Sequence, residues 1–224
     1  MSTAPSIYVS PIARKIILEK LDTYKEPGMA FYENLMRIPS IHRALARLYN
    51  SLQTEEITEP DNTEISAAAS DILRSVVVFT HASLESFLRD IVKPNSNQSF
   101  NSGSEITRAL KKGGIDAKYF QKHIPIIDTM IQRRHKIVHK ADNFVIHGKR
   151  TLTPLTLEEV NIWTHETLKF FFCCVFAILV SPKVIEEMNE RLKSEGQTHT
   201  LITIKEINQV FIDRYPEWEM PSLE

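Results

Sequence analysis

Arg134, His135 and His139 are the residues whose types and spacing suit a chemical task. They lie in the string Arg133-Arg134-His135-Lys136-Ile137-Val138-His139-Lys140-Ala141-Asp142. Histidine titrates near neutrality and can take or give a proton during a reaction. Arginine stays charged and offers a planar fork to phosphate oxygens. This combination suits proton transfer at a bound phosphate without a metal, which needs a base, an acid and a cation for the charge that builds on phosphorus. His139 is the candidate base or acid, Arg134 the phosphate clamp, and His135 a second proton carrier or orienter. Lys136, Lys140 and Arg133 are candidate contacts to flanking phosphates. Asp142 and Glu85 are supporting candidates, with Glu85 able either to hold Arg134 or to pair with Arg89 one helical turn away.

The spacing alone says little. With twelve arginines and eight histidines, chance supplies about one arginine followed by a histidine with four to six residues between them. Four occur: Arg37–His42, Arg74–His81, Arg133–His139 and Arg134–His139. Context separates them. Pro39 interrupts the first, and the second lies within a strongly periodic core helix, where both residues read as ordinary helix positions. The last has a polar residue after the arginine, two apolar anchors, and a helix end. On a regular helix, residues five apart point about 140° away from each other. Either the helix loosens near Val138, or the site combines residues of two chains.

Two other readings of the same residues stay open. Basic side chains suit helix C-termini, which is a purely structural reading of these residues. His135 and His139 also have the i, i+4 spacing of metal ligands, which His123 or His147 would have to complete. The string HKIVH lacks the glutamate of a zincin motif, and no metal or other cofactor is expected.

Charge narrows the class of partner. The formal net charge is −1, yet residues 111–150 carry ten basic side chains against three aspartates, a local +7. The rest of the chain balances at −8. A confined basic region on an acidic protein suits a local anionic ligand better than indiscriminate coating of nucleic acid. The two cysteines, Cys173 and Cys174, are adjacent and read as buried thiols of a reducing compartment. The first twenty residues do not read as a signal peptide. The apolar run Phe170–Val180 is too short to span a bilayer, which takes about 20 residues. It reads as a core helix carrying the cluster Phe170, Phe171, Phe172 and Phe176. These features point to a cytoplasmic protein with no membrane partner.

The elements that must position the motif are helical. Leu73, Val76, Val77, Thr80, Leu84, Phe87, Leu88 and Ile91 form one apolar stripe within 71–92. Thr63 or Ser66 is the expected N-cap of that helix. Helices are expected at about 10–24 and 29–52, the latter kinked by Pro39, with an acidic connector at 54–63. A polar loop at 93–103 leads to short helices at 104–112 and 116–122. The motif helix follows from Pro125 to about Val138. Residues 143–154 read as a brief hairpin or an irregular loop. Thr156 and Glu159 have capping-box spacing and open a long helix toward Glu195, broken near Ser181-Pro182. A last helix falls near 203–213. The expectation is all-α: one domain over 1–224, a helical bundle with long core helices and a few short peripheral ones. Its core is about 65–180, with N-terminal helices at 10–52 and a C-terminal helical extension at 183–213.

The string RRHKIVHKAD at a helix end resembles the motif of the HEPN (higher eukaryotes and prokaryotes nucleotide-binding) superfamily. There an arginine precedes Asn, Asp or His, and a histidine follows a few residues later. The upstream helix FTHASLESFLRDIV, with Glu85, is similar to that family's first core helix. The resemblance covers about 65–180, and its specific part is some ten residues. It implies a ribonuclease that cuts RNA to a 2′,3′-cyclic phosphate and a 5′-hydroxyl. It also implies a homodimer with a composite site, and a toxin or defence setting with an antitoxin or defence-system partner. The alternative is a HEPN-type module that dimerises or binds RNA or nucleotide without cutting.

Overall fold

The structure is a computed structural model. It describes residues 7–24, 28, 30–35, 37–38, 40, 43, 62–92, 98–140, 142–146, 149–197 and 200–216. Residues 54–61 of the connector expected at 54–63, much of the expected helix at 29–52, including Pro39, and loop residues 93–97 lie outside the described residues, while Asn62 and Thr63 are helical rather than connector.

Helix α1 (Pro11–Asp22) starts where Ser10 accepts a hydrogen bond from the Ala13 amide, with proline at the first position. Helix α2 spans Asn62–Val92, 31 residues and about 46 Å. It begins earlier than the periodicity suggests, so Thr63 and Ser66 sit inside the helix rather than capping it. The apolar stripe behaves as expected: Val76, Val77, Leu84, Phe87 and Leu88 are buried. Helix α3 (Gly103–Lys112) is capped by Ser102. The expected short helix at 116–122 is instead two 3-10 turns, 117–119 and 121–123, which feed directly into α4 (Ile124–Lys140).

Residues 143–152 settle as a hairpin. Strand β1 (Asn143–Ile146) pairs antiparallel with β2 (Lys149–Leu152), Asn143 opposite Leu152. The chain is therefore mostly helical, with this one departure from the all-α expectation among the described residues. Helix α5 (Leu157–Leu179) opens with the capping box of Thr156 and Glu159. The expected break is real: α6 (Pro182–Ser194) restarts with Pro182 at its first position, where the absent N–H costs nothing. Helix α7 (Ile204–Arg214) opens with a second capping box, Thr203 with Glu206.

Helix α5 is the axis of the core. By length and composition it could cross a membrane, but every residue from Phe170 to Val180 is buried inside the protein. Phe171 stacks on Phe31 at 4.8 Å and meets Phe87 of α2 edge-on at 4.8 Å. Each fully buried ring of this kind contributes roughly 1.5–3 kcal/mol. Around that axis α2 packs on α4 and α5, α3 on α4, and α1 on α6 and α7. The result for the motif is simple. Helix α4 is gripped between α2 and α5, and the hairpin returns the chain from its end.

Candidate active site

Helix α4 does not loosen near Val138; it stays helical through Lys140. Arg134 and His139 therefore diverge. Arg134 is half-buried, and its Nε lies inside the protein with no hydrogen-bond partner among the described residues. Its charge reaches His81 of α2, a 2% exposed imidazole whose Nε2 lies 3.4 Å from the Phe100 carbonyl. Burial first, and Arg134 second, push the His81 pKa below its ordinary value. His81 is thus a neutral, core-facing neighbour of the motif arginine.

His139 faces solvent, and so does His135 one turn before it. Their ring centroids are 4.5 Å apart with planes tilted by 49°. This is the face-sharing that i, i+4 spacing dictates. Lys136 is exposed on the same helix end, and the side chain of Lys140 lies outside the described residues. Val138, between the two histidines in sequence, is 46% exposed, and Leu157 and Ile162 of α5 are 48% and 46% exposed.

The arginine beside the motif is engaged elsewhere. Arg133 Nη2 donates to Asp142 Oδ2 at 2.8 Å, to the Thr153 carbonyl at 2.8 Å and to the Pro154 carbonyl at 2.9 Å. Arg74 of α2 donates from Nε to the same Asp142 Oδ2 at 2.9 Å and from Nη2 to the Thr153 carbonyl at 2.9 Å. Its Nη1 bonds the Ser70 hydroxyl. Asp142 is 1% exposed and adopts a φ of 52°, the left-handed region that Asp tolerates better than most residues. Its amide bonds back to the Lys136 carbonyl, and its own carbonyl accepts from the amide and hydroxyl of Thr153. Arg133, a candidate phosphate contact by sequence, is instead part of a buried cluster that closes the end of α4.

Glu85 likewise pairs with Arg89, Nη2 to Oε1 at 2.6 Å, and makes no bond to Arg134 among the described residues. Sequence reasoning set aside Arg74 and His81 as ordinary helix residues. They are seven apart, two turns of helix, so they share the face of α2 that meets α4. That spacing was the available signal.

A second polar cluster sits deeper. His123 Nδ1 donates to Glu166 Oε2 at 2.7 Å, and the Cys173 thiol donates to His123 Nε2 at 3.4 Å. The order Cys–His–Glu looks like a nucleophile triad, but the chemistry is wrong for one. Cys173 is 2% exposed, and burial pushes its thiol up to about 12, so no thiolate forms near neutrality. Burial also lowers His123, outweighing the pull of Glu166. Burial works to raise Glu166, but hydrogen bonds from His123 and Lys169 outweigh it and hold that carboxyl low. The cluster is a neutral imidazole between a carboxylate and a thiol.

Among the described residues no three His, Cys, Asp or Glu side chains gather as a metal site; His147 lies outside them. A cavity of about 740 Å³ lies at the far end of α5, lined by Tyr119, Ala177, Pro182, Glu186 and Lys193. None of the motif residues lines it. No family model, characterised protein or solved structure matches this chain.

Proposed function

We propose that the chain is a HEPN-type, metal-independent endoribonuclease whose cleft is completed by a second copy of itself. The observation that carries this reading is the pair of exposed, adjacent imidazoles at His135 and His139. They stand on a helix whose Arg134 points elsewhere, so one copy offers proton carriers without their phosphate clamp. In a twofold dimer, Arg134 of one copy can serve His139 of the other. The exposed, apolar Val138 on the same helix end suits such contact.

The chemistry then runs without water. One histidine takes the proton of the ribose 2′-hydroxyl, and the 2′-oxygen attacks phosphorus. The bond from phosphorus to the 5′-oxygen breaks, and a second histidine supplies the proton that oxygen needs. Arg134 holds the non-bridging oxygens as their charge grows, and Lys136 and Lys140 meet neighbouring phosphates. The products are a 2′,3′-cyclic phosphate and a 5′-hydroxyl. The setting that goes with this reading is a cytoplasmic toxin or anti-phage effector, with an antitoxin or defence-system protein as partner.

The half-buried Arg134 favours one second reading, a HEPN-type module that dimerises or binds RNA without cutting. Incubation of the purified protein with labelled RNA in EDTA separates the two. RNA cut to cyclic-phosphate ends, with the matching DNA left intact, supports the nuclease. Tight RNA binding with no cut strands supports the module.

A further inference from the structure

We infer that Arg74 is a positioning residue of the motif, acting through Asp142 to fix where the end of α4 presents His135 and His139. This rests on the reading of those histidines as the working groups of the site.

Four stretches of chain meet around Asp142. Arg74 comes from α2, Arg133 from α4, Asp142 from the turn after α4, and Thr153 from the exit of β2. Both arginines use the same oxygen of Asp142; the other, Oδ1, is buried with no partner among the described residues. Oδ2 and the Thr153 carbonyl, which also accepts from both arginines, therefore tie the two helices together. Arg74 is committed in three directions at once, to Asp142, Thr153 and Ser70. Only a guanidinium offers donors at those angles. It is also 7% exposed, so water does not substitute readily for it.

The placement explains why this matters to the rings. His135 lies about 200° around α4 from Arg133, so the cluster grips the back of the helix whose front displays the histidines. The rings are exposed and have little packing of their own. Their positions follow from where the helix end is held. Catalytic groups tolerate little displacement, since a shift of about 1 Å costs on the order of 10²-fold in rate.

The test uses the full chain with Arg74→Met and Arg74→Lys. Two readouts need no RNA: the NOE between the His135 and His139 rings, and amide exchange at Asp142 and Thr153. Arg74→Met should weaken the NOE and speed exchange at those two amides by at least about tenfold, with core amides of α5 unchanged. Arg74→Lys should fall between. If wild type cuts RNA, Arg74→Met should lower kcat by roughly 10²-fold with KM little altered. Wild-type NOE and wild-type local exchange in Arg74→Met would overturn the proposal. Exchange that rises uniformly with the NOE intact would also overturn it, since that marks a merely structural residue. Should Arg74→Met not fold, Arg74→Lys decides by the same two readouts. If wild type cuts no RNA, the nuclease reading fails, while NOE and exchange still decide the role of Arg74.

Discussion

His135 and His139 hold their rings 4.5 Å apart on the solvent side of α4, and the arginine between them in function, Arg134, is turned toward α2. A regular helix forces this separation. It makes the site of one chain incomplete for the proposed reaction.

Mixing experiments follow from that geometry. Arg134→Ala and His139→Ala, each inactive alone, should regain cleavage when mixed and allowed to exchange subunits. A mixed dimer keeps one intact Arg134–His139 pair across the interface. Half the dimers are mixed, so about one quarter of wild-type rate is expected. No recovery after demonstrated subunit exchange would place arginine and histidine in the same chain.

Asp142→Ala should destabilise the fold strongly. It leaves Arg74 and Arg133, with side chains 8% and 12% exposed, as buried charges without their shared carboxylate. Breaking such a pair from one side costs about 3–5 kcal/mol, measurable by urea unfolding. A loss below about 1 kcal/mol is what a surface pair would give, and it would show that the cluster is not a buried unit.

Much of the frame was legible from local pattern. The α2 stripe, the Thr156–Glu159 capping box and the break at Pro182 are each written within a few residues, and each is realised. The cluster was not legible for a physical reason. Arg74 and Asp142 are 68 residues apart, and nothing near either one marks the other. Arg133 and Arg134 look interchangeable in sequence. Only the 100° between neighbours on α4 sends one to the hairpin and the other to His81. The hairpin itself stayed ambiguous because its two strands are four residues each, too short for alternation to speak.

Acid should destabilise the protein in two steps. His81 and His123 both lie below the ordinary 6.5 because burial disfavours their charged forms. Between their folded values and 6.5 the unfolded chain binds more protons, so stability rises with pH through that window and falls as pH drops. Glu166, held below its ordinary 4.5, adds a second loss as pH falls through 4.5 toward its folded value. Urea unfolding at pH 5, 6 and 7.5 should show the first slope, reduced in His123→Gln. A flat profile across that range would contradict the buried neutral imidazoles.

Native thiol labelling should fail. Cys173 and Cys174 are both buried, and burial raises both thiols, Cys173 to about 12. Iodoacetamide at pH 7.5 should modify neither until the chain is unfolded, as read by intact mass. Rapid single modification of native protein would revive the Cys173–His123–Glu166 arrangement as a nucleophile.

The most direct test of the proposed activity is cleavage of labelled RNA in EDTA by wild type, His139→Ala and Arg134→Ala. Wild type should cut, and both variants should lose nearly all activity while keeping the wild-type unfolding midpoint to within a few degrees. Undiminished cleavage by His139→Ala would contradict the assignment of the chemistry to this helix end.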